Sequence, residues 1–361
     1  MEKAGRAPTI YDVAAAAGVA PSTVSRAFAR PGRVSAATAA RIHQVAADLG
    51  YRVNPLARAL QNGASSTVAL VVSDVTNPVF FAIIRGVEAA AGAAGYTMML
   101  ADTQESESLE RTLLDRLLPA VGGIVLASSR LSDRAIRAVA AQRPTVVLNR
   151  VVAGTRSVVP DTASGVEAAL RQLSEMGHRS VTYVAGPEAS WVNGARWRAI
   201  LDVSGELGLR VARTGPNLPT VSGGLAAAEA MARRVPSAVL AYNDLLAIGL
   251  LRGFGQAGIR VPDRTSVIGF DNVFGSDFCS PPLTTVATPL RAMGTAAFQE
   301  LERAMKAEPL PASPVVSLTS QLVVRGSAGP RSRKRTSPAS RTTSVSASAS
   351  QSPGSTVVGS T

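Results

Sequence analysis

The chain has 361 residues, a formal net charge of +12, one cysteine and two histidines. That length exceeds one ordinary domain and allows a large core, whereas Cys279, His43 and His178 are too few and too scattered to write a disulfide framework or a zinc site, and no cofactor is implied. The first residues lack an apolar leader core and no apolar run reaches membrane-spanning length, so the expectation is a soluble, cytoplasmic protein with no membrane partner. Residues 1–62 hold 8 Lys/Arg against 3 Asp/Glu, residues 63–326 hold 24 against 22, and residues 327–361 hold 5 against none. Basic ends around a near-neutral middle point to phosphate contacts at an end and a different task in between.

Residues 9–28 read as a compact helix-turn-helix. Thr9 and Asp12 fit a capping box, and Ile10, Val13, Ala14 and Ala17 fall on one face of the helix that follows. Gly18 can supply the left-handed residue that ends it, Val19 can drop into a small core, and Pro21 suits the first position of a second helix. The exposed side of that helix offers Ser22, Thr23, Ser25 and Arg26 near its N-terminus, the end that enters a major groove in such motifs. A third helix is expected from the cap Ser35 through Ile42, Val45, Ala46 and Leu49 to Gly50.

Residues 49–60, Leu-Gly-Tyr-Arg-Val-Asn-Pro-Leu-Ala-Arg-Ala-Leu, resemble the hinge of the lactose-repressor (LacI/GalR) family of bacterial transcription factors, and the resemblance runs to about Gly326. It implies a headpiece with hinge over 1–62, the hinge helix at about 54–62. DNA contacts would come from Thr9, Tyr11, Pro21, Ser22, Thr23, Ser25, Arg26 and Arg33, and from Asn54, Ala57, Arg58 and Leu60 of the hinge. The leucine matching Leu60 is the family's minor-groove wedge, and an apolar side chain between base steps kinks the duplex and brings more protein onto it. Bounded by Asn54-Pro55 and Asn62-Gly63, the same segment also reads as a plain linker with one amphipathic turn. Ala20 stands where the family has Ser, which leaves Pro21 and Ser22 to start the second helix.

From Val68 onward short apolar runs alternate with helical patterns: Val68–Val72, a helix opened by Asn77-Pro78 and closed by Gly95, Thr97–Ala101, Leu109–Leu118, Gly123–Ala127, Ala135–Gln142 and Thr145–Asn149. The alternation continues through 163–176, 181–185, 195–207, 224–234, 238–241, 244–256 and 266–269. Such alternation means parallel sheets with helices on both faces, and there are too many strands for one small sheet, so two Rossmann-like lobes are expected. The strings Ser266-Val-Ile-Gly-Phe-Asp271 and Pro281-Pro-Leu-Thr-Thr285 again resemble the family, whose effector domain is periplasmic-binding-protein-like. The expected architecture is therefore a small all-α headpiece followed by an α/β effector and dimerisation domain over 63–326.

In open α/β sheets ligands bind outside the carboxyl ends of the strands. Polar residues at those ends are Asp74, Asn149, Arg150, Asp161, Asn243, Asp244 and Asp271. The resemblance implies ligand contacts by Asn149, Asn243, Asp271 and Arg196, the last in Ser190-Trp-Val-Asn-Gly-Ala-Arg196, with Phe80 at the cleft edge, and Trp191 offers a ring for an apolar ligand face. Each of these also has a plain structural reading as a cap, a bond between lobes, or core packing.

Residues 327–361 are basic, then rich in Ser, Thr, Ala and Pro, and are expected to form a disordered tail. The family resemblance implies a homodimeric repressor of a near-palindromic operator, controlled by a sugar-like effector. A transporter's solute-binding protein would not carry the helix-turn-helix, and an enzyme on the same fold would need a motif that is missing: neither Gly-x-Gly-x-x-Gly opening a helix after the first strand, nor Gly-x-Ser-x-Gly, nor a metal cluster occurs.

Overall fold

A computed structural model describes residues 8–29, 32–51 and 65–331. The hinge residues Asn54, Ala57, Arg58 and Leu60, and the tail beyond Arg331, lie outside the described residues.

Among the described residues the headpiece holds three helices, α1 (Ile10–Ala17), α2 (Pro21–Ala29) and α3 (Ala36–Asp48). The Asp12 carboxylate accepts from both the backbone N–H (2.7 Å) and the hydroxyl (2.6 Å) of Thr9. Gly18 ends α1 at φ +63°, a conformation cheap only for glycine. Val13, Ala14, Ala17, Val24, Ala27, Ile42 and Ala46 form the core, and Ile10, Val19 and Val45 close its edge. That core is small because its residues are small. Short alanine-rich helices pack closely, and the half-buried Phe28 ring lies against that core, edge-on to His43 at 4.6 Å.

After the headpiece the elements run β1 (Thr67–Val72), α4 (Val79–Ala93), β2 (Thr97–Asp102), α5 (Glu107–Leu117), β3 (Gly123–Ala127), α6 (Asp133–Ala140), β4 (Thr145–Leu148) and β5 (Arg156–Asp161). Next come α7 (Thr162–Glu175), β6 (Ser180–Val184), α8 (Trp191–Glu206), β7 (Arg210–Thr214), α9 (Val221–Met231), β8 (Ala238–Ala241), α10 (Asp244–Gln256) and β9 (Ser266–Asp271). The last elements among the described residues are β10 (Thr284–Ala287), α11 (Leu290–Met305), β11 (Val315–Thr319) and β12 (Gln321–Val323).

Two six-stranded sheets result, in the orders β11-β5-β4-β3-β1-β2 and β12-β10-β9-β8-β6-β7. Every pairing is parallel except β10 with β12. Period-two alternation splits each central strand between two cores. Val68, Leu70 and Val72 of β1 face one cluster, with Phe80 and Ile83 of α4 and Phe298 and Leu301 of α11. Ala69 and Val71 face the other, with Leu114, Leu117 and Ile136. In the second lobe Ala238 and Leu240 pack with Tyr183 and Ile200, while Val239 and Ala241 pack with Leu246, Leu250 and Phe254. Both faces of each sheet are thus covered, as a parallel sheet requires.

The lobes are not consecutive halves of the sequence. Among the described residues the chain leaves the first lobe after β5, returns between β10 and α11, and crosses again between β11 and β12. Helix α11 packs on α4 so closely that a Cβ at Gly86 would collide with the Arg291 carbonyl oxygen, and one at Gly294 with that of Ile83. Three crossings tie the lobes together and set one cleft between their strand ends.

The expected tail boundary needs correction. Residues 327–331 belong to the folded second lobe: Ser327 is fully buried, its hydroxyl donates to the Val267 carbonyl (2.6 Å) and accepts from Thr284 N–H (2.8 Å). His178 Nε2 lies 3.2 Å from both the Gly329 carbonyl and Ser266 Oγ, and its Nδ1 lies 3.2 Å from Ser237 Oγ. Burial pushes the pKa of His178 below the usual imidazole value, and the contact with the Gly329 carbonyl pulls against it. Composition hides this docking, because Ser-Ala-Gly-Pro anchors through hydrogen bonds instead of large apolar side chains.

Candidate functional site

Backbone strain marks the cleft. Of the non-glycine residues at positive φ, Gln104 and Glu105 follow β2, Ser128 follows β3, Asn149 follows β4, Asp271 ends β9 and Asn272 follows it. Such conformations are costly for side-chain-bearing residues and cluster where a site is held in shape. Here they turn the chain sharply at the carboxyl ends of the strands, and Glu105, Ser128, Asn149 and Asp271 line the cleft.

Arg196 is the centre of the second-lobe wall. Carried on α8 and almost fully buried, it donates through Nη2 to Asp271 Oδ1 (2.8 Å) and through Nη1 to the Tyr242 carbonyl oxygen. Its guanidinium lies 4.0 Å from the centroid of the Phe270 ring and 5.2 Å from that of Tyr242. Burial pulls its pKa down, but Asp271 and the two tyrosines more than offset this, and the group is held cationic. Arg196 Nε is buried without a partner, and Arg196 lines the cleft. Unpaired buried donors are rare in native proteins.

Beneath this pair sits Asp244, fully buried, whose carboxylate accepts from Thr285 Oγ1 (2.6 Å) and Val273 N–H (2.9 Å). Burial, reinforced by Asp271, pushes its pKa up to about 8. Asn243 caps α10 by accepting from Leu246 N–H (3.0 Å) and donates to the Pro219 carbonyl (3.1 Å), while still lining the cleft. Asn149 donates to Ser128 Oγ (3.0 Å) from the first lobe. Phe80 lines the cleft and is also core, 2% exposed.

Of the residues expected from sequence, the fold therefore brings Phe80, Asn149, Arg196, Asn243 and Asp271 to one cleft. Four others are occupied elsewhere. Asp74 closes a local turn with Thr76, and Asp161 caps α7 by accepting from Ser164 N–H (3.1 Å). Arg150 turns away to the Leu131 carbonyl (2.7 Å) and Asp133. Trp191 starts α8 half-buried, and its neighbour Val192 lines the cleft instead. Sequence reasoning missed Ser73, Glu105, Ser128, Arg130 and Tyr242 on the lining. The signal was there: each is among the first polar residues past a strand.

On the headpiece, Ser22 and Arg26 are exposed on α2, the Arg26 guanidinium 3.3 Å from Ser22 Oγ, while Pro21, Thr23 and Ser25 are half-buried. Tyr11 is 68% exposed on α1, Thr9 caps that helix, and Arg33 is exposed before the Ser35 cap.

Residues 9–54 match the model of "Bacterial regulatory proteins, lacI family", and residues 170–328 match "Periplasmic binding protein-like domain". The HTH-type transcriptional repressor CytR of Escherichia coli K12 is 30% identical over 339 residues, spanning 90% of this chain and 98% of that protein. This chain belongs to the LacI family. It is a helix-turn-helix, DNA-binding transcriptional regulator with a periplasmic-binding-protein-like domain. The fold agrees: the lac repressor dimer bound to operator and the anti-inducer ONPF superposes with a TM-score of 0.81 at 25% identity, covering 90% of this chain and all of that one. The regulator CelR in complex with cellobiose gives 0.66 at 28% identity, covering 89% and all, respectively. Among the described residues no helix is long and apolar enough to cross a membrane.

Proposed function

We propose that this LacI-family regulator is a homodimeric repressor of a near-palindromic operator, released or engaged by a sugar-like effector held between the two lobes. The observation that carries this reading is the Arg196–Asp271 pair: a buried, charge-assisted bond with a spare donor, at a cleft built from strand ends of both lobes. Ligand hydroxyls suit such groups because each can donate to a carboxylate and accept from a guanidinium. Arg196 and Asp271 form the principal contacts, Asn149 and Asn243 bind from either lobe, and Phe80 bounds the cleft. The relatives support the assignment, being a repressor, an operator-bound dimer and a cellobiose complex.

On DNA, Ser22, Thr23, Ser25 and Arg26 enter the major groove, and Thr9, Tyr11, Pro21 and Arg33 help to position the headpiece. The hinge residues Asn54, Ala57, Arg58 and Leu60 engage the minor groove, with Leu60 as the wedge. One recognition helix covers only a half-site, so two protomers read two halves. The test is selection of binding sites from random duplex DNA with the full-length chain, then titration by fluorescence anisotropy with and without added sugars. Recovery of an inverted repeat bound by two protomers, with affinity changed by at least one sugar, is the expected result. Recovery of no inverted repeat refutes the dimeric-repressor reading.

A further inference from the structure

The first lobe carries its own charged pair at the cleft, which none of the family positions above accounts for. Glu105 and Arg130 both line the cleft, opposite Arg196 and Asp271. Both Nε and Nη2 of Arg130 lie 2.5 Å from Glu105 Oε2, so one carboxylate oxygen holds the guanidinium and Oε1 is left over. The pair is built in. Glu105 sits at φ +59° with its backbone N–H donating to the Ser73 carbonyl (2.6 Å), and the Arg130 backbone N–H donates to the buried Glu110 carboxylate (2.9 Å). The Arg130 side chain is 9% exposed and that of Glu105 33%, so the carboxylate is the more open member of the pair.

We infer that Glu105, held in place by Arg130, is the specificity-determining carboxylate of the first lobe, and that the effector is an uncharged, non-phosphorylated polyhydroxy compound gripped between Glu105 and the Arg196–Asp271 pair. This rests on the reading of the cleft as the effector site. The charges carry it. Glu105, Arg130, Arg196 and Asp271 are the charged side chains on the lining, two of each sign, and each arginine is already paired with a carboxylate. A phosphate would bring a charge of about −1.5 to −2 into a cleft with no unpaired cation, facing carboxylate oxygens on both sides. A hydroxyl has the opposite fit. It can donate to Glu105 Oε1 or Asp271 and accept from the unpartnered Nε of Arg196. Because the two acceptors belong to different lobes, such a ligand also bridges them.

The experiment is a thermal-shift and calorimetric panel on the full-length protein. The probes are D-glucose, D-galactose, D-ribose and cellobiose, with glucose 6-phosphate and galacturonate as charged counterparts. At least one neutral sugar is expected to raise the melting temperature while the charged counterparts do not. Glu105→Gln and Glu105→Asp, the latter keeping the charge but withdrawing Oε1, are each expected to weaken that sugar roughly 10- to 100-fold, the range of one hydrogen bond to a charged group. Because Glu105→Gln also takes the carboxylate from the nearly buried Arg130, binding is measured calorimetrically below each variant's ligand-free melting temperature. The inference is overturned if a charged counterpart binds more tightly than its neutral parent, if no neutral sugar binds, or if both Glu105 variants bind like wild type. A control separates the two layers. If Arg196→Met/Asp271→Asn abolishes binding that the Glu105 variants retain, the cleft assignment stands and only the role of Glu105 falls; if that double variant also binds normally, the cleft itself is misassigned.

Discussion

Replacing Arg196 by Met keeps the aliphatic stem and removes the guanidinium from a pair whose side chains are 4% and 11% exposed. Asp271 would then keep only a long contact from Thr288 Oγ1 (3.4 Å), and the Tyr242 carbonyl and the Phe270 face would lose their cation. Breaking a buried pair by removing one partner costs about 3–5 kcal/mol, because the other charge stays buried. In a domain of this size that corresponds to roughly 6–20 °C of melting temperature. Removing both charges is different: Arg196→Met/Asp271→Asn leaves no uncompensated charge and should recover most of the loss, with a coupling of about 2 kcal/mol or more between the sites. Thermal and urea denaturation of wild type, both single variants and the double variant, followed by circular dichroism, measure this cycle directly. The double variant is further expected to bind operator without effector and to ignore effector, since the ligand's principal contacts are gone. Single variants within about 1 kcal/mol of wild type, or strictly additive losses, would refute the assignment of Arg196 and Asp271 as a buried unit.

Ending the chain after Arg331 is expected to leave the melting temperature unchanged, whereas ending it after Gly326 removes the bonds of Ser327 and Gly329 to Val267, Thr284, Ser266 and His178 and should cost about 2–4 kcal/mol, at roughly 1 kcal/mol per bond. Asp244 keeps its proton to about pH 8 in the folded chain but releases it near pH 4 when unfolded, so its contribution is complete below pH 4 and is lost as the pH rises to 8. Asp244→Asn should therefore flatten the decline in stability between those values, by up to about 1.4 kcal/mol per pH unit, as read by urea titrations at several pH values. Arg26→Ala should weaken operator binding by about 1–3 kcal/mol in gel-shift titrations at fixed salt if it reads a guanine edge, and an equal loss on random DNA would make it a phosphate contact.

The headpiece was legible from sequence because its determinants are local. A cap, a left-handed glycine, a proline and an apolar stripe all act within a few residues, and Thr9, Asp12, Gly18 and Pro21 take those roles in the structure. The buried central strands were legible too, since β-branched runs covered on both faces stand out from their surroundings. The reading thinned at the edges. Arg210–Thr214 alternates polar residues on a half-open edge, Arg156–Asp161 carries charge and proline, and the regular alternation read from sequence stops at Gly269, before α11 turns back to the first lobe.

What composition and spacing could not decide was which polar strand ends meet. Asp74, Arg150 and Asp161 also stand at strand ends, and there they bond to a turn, a loop carbonyl and a helix N-terminus, off the cleft lining. Glu105 and Arg130 carry no motif, yet the β1–β3 pairing sets the loops after β2 and β3 side by side at the cleft. Arg196 and Asp271, 75 positions apart, meet because α8 and β9 pack in the same lobe. Local structure follows from neighbours in sequence, which the chain carries wherever it goes; the site follows from strand order and lobe crossings, which only the packed tertiary structure selects.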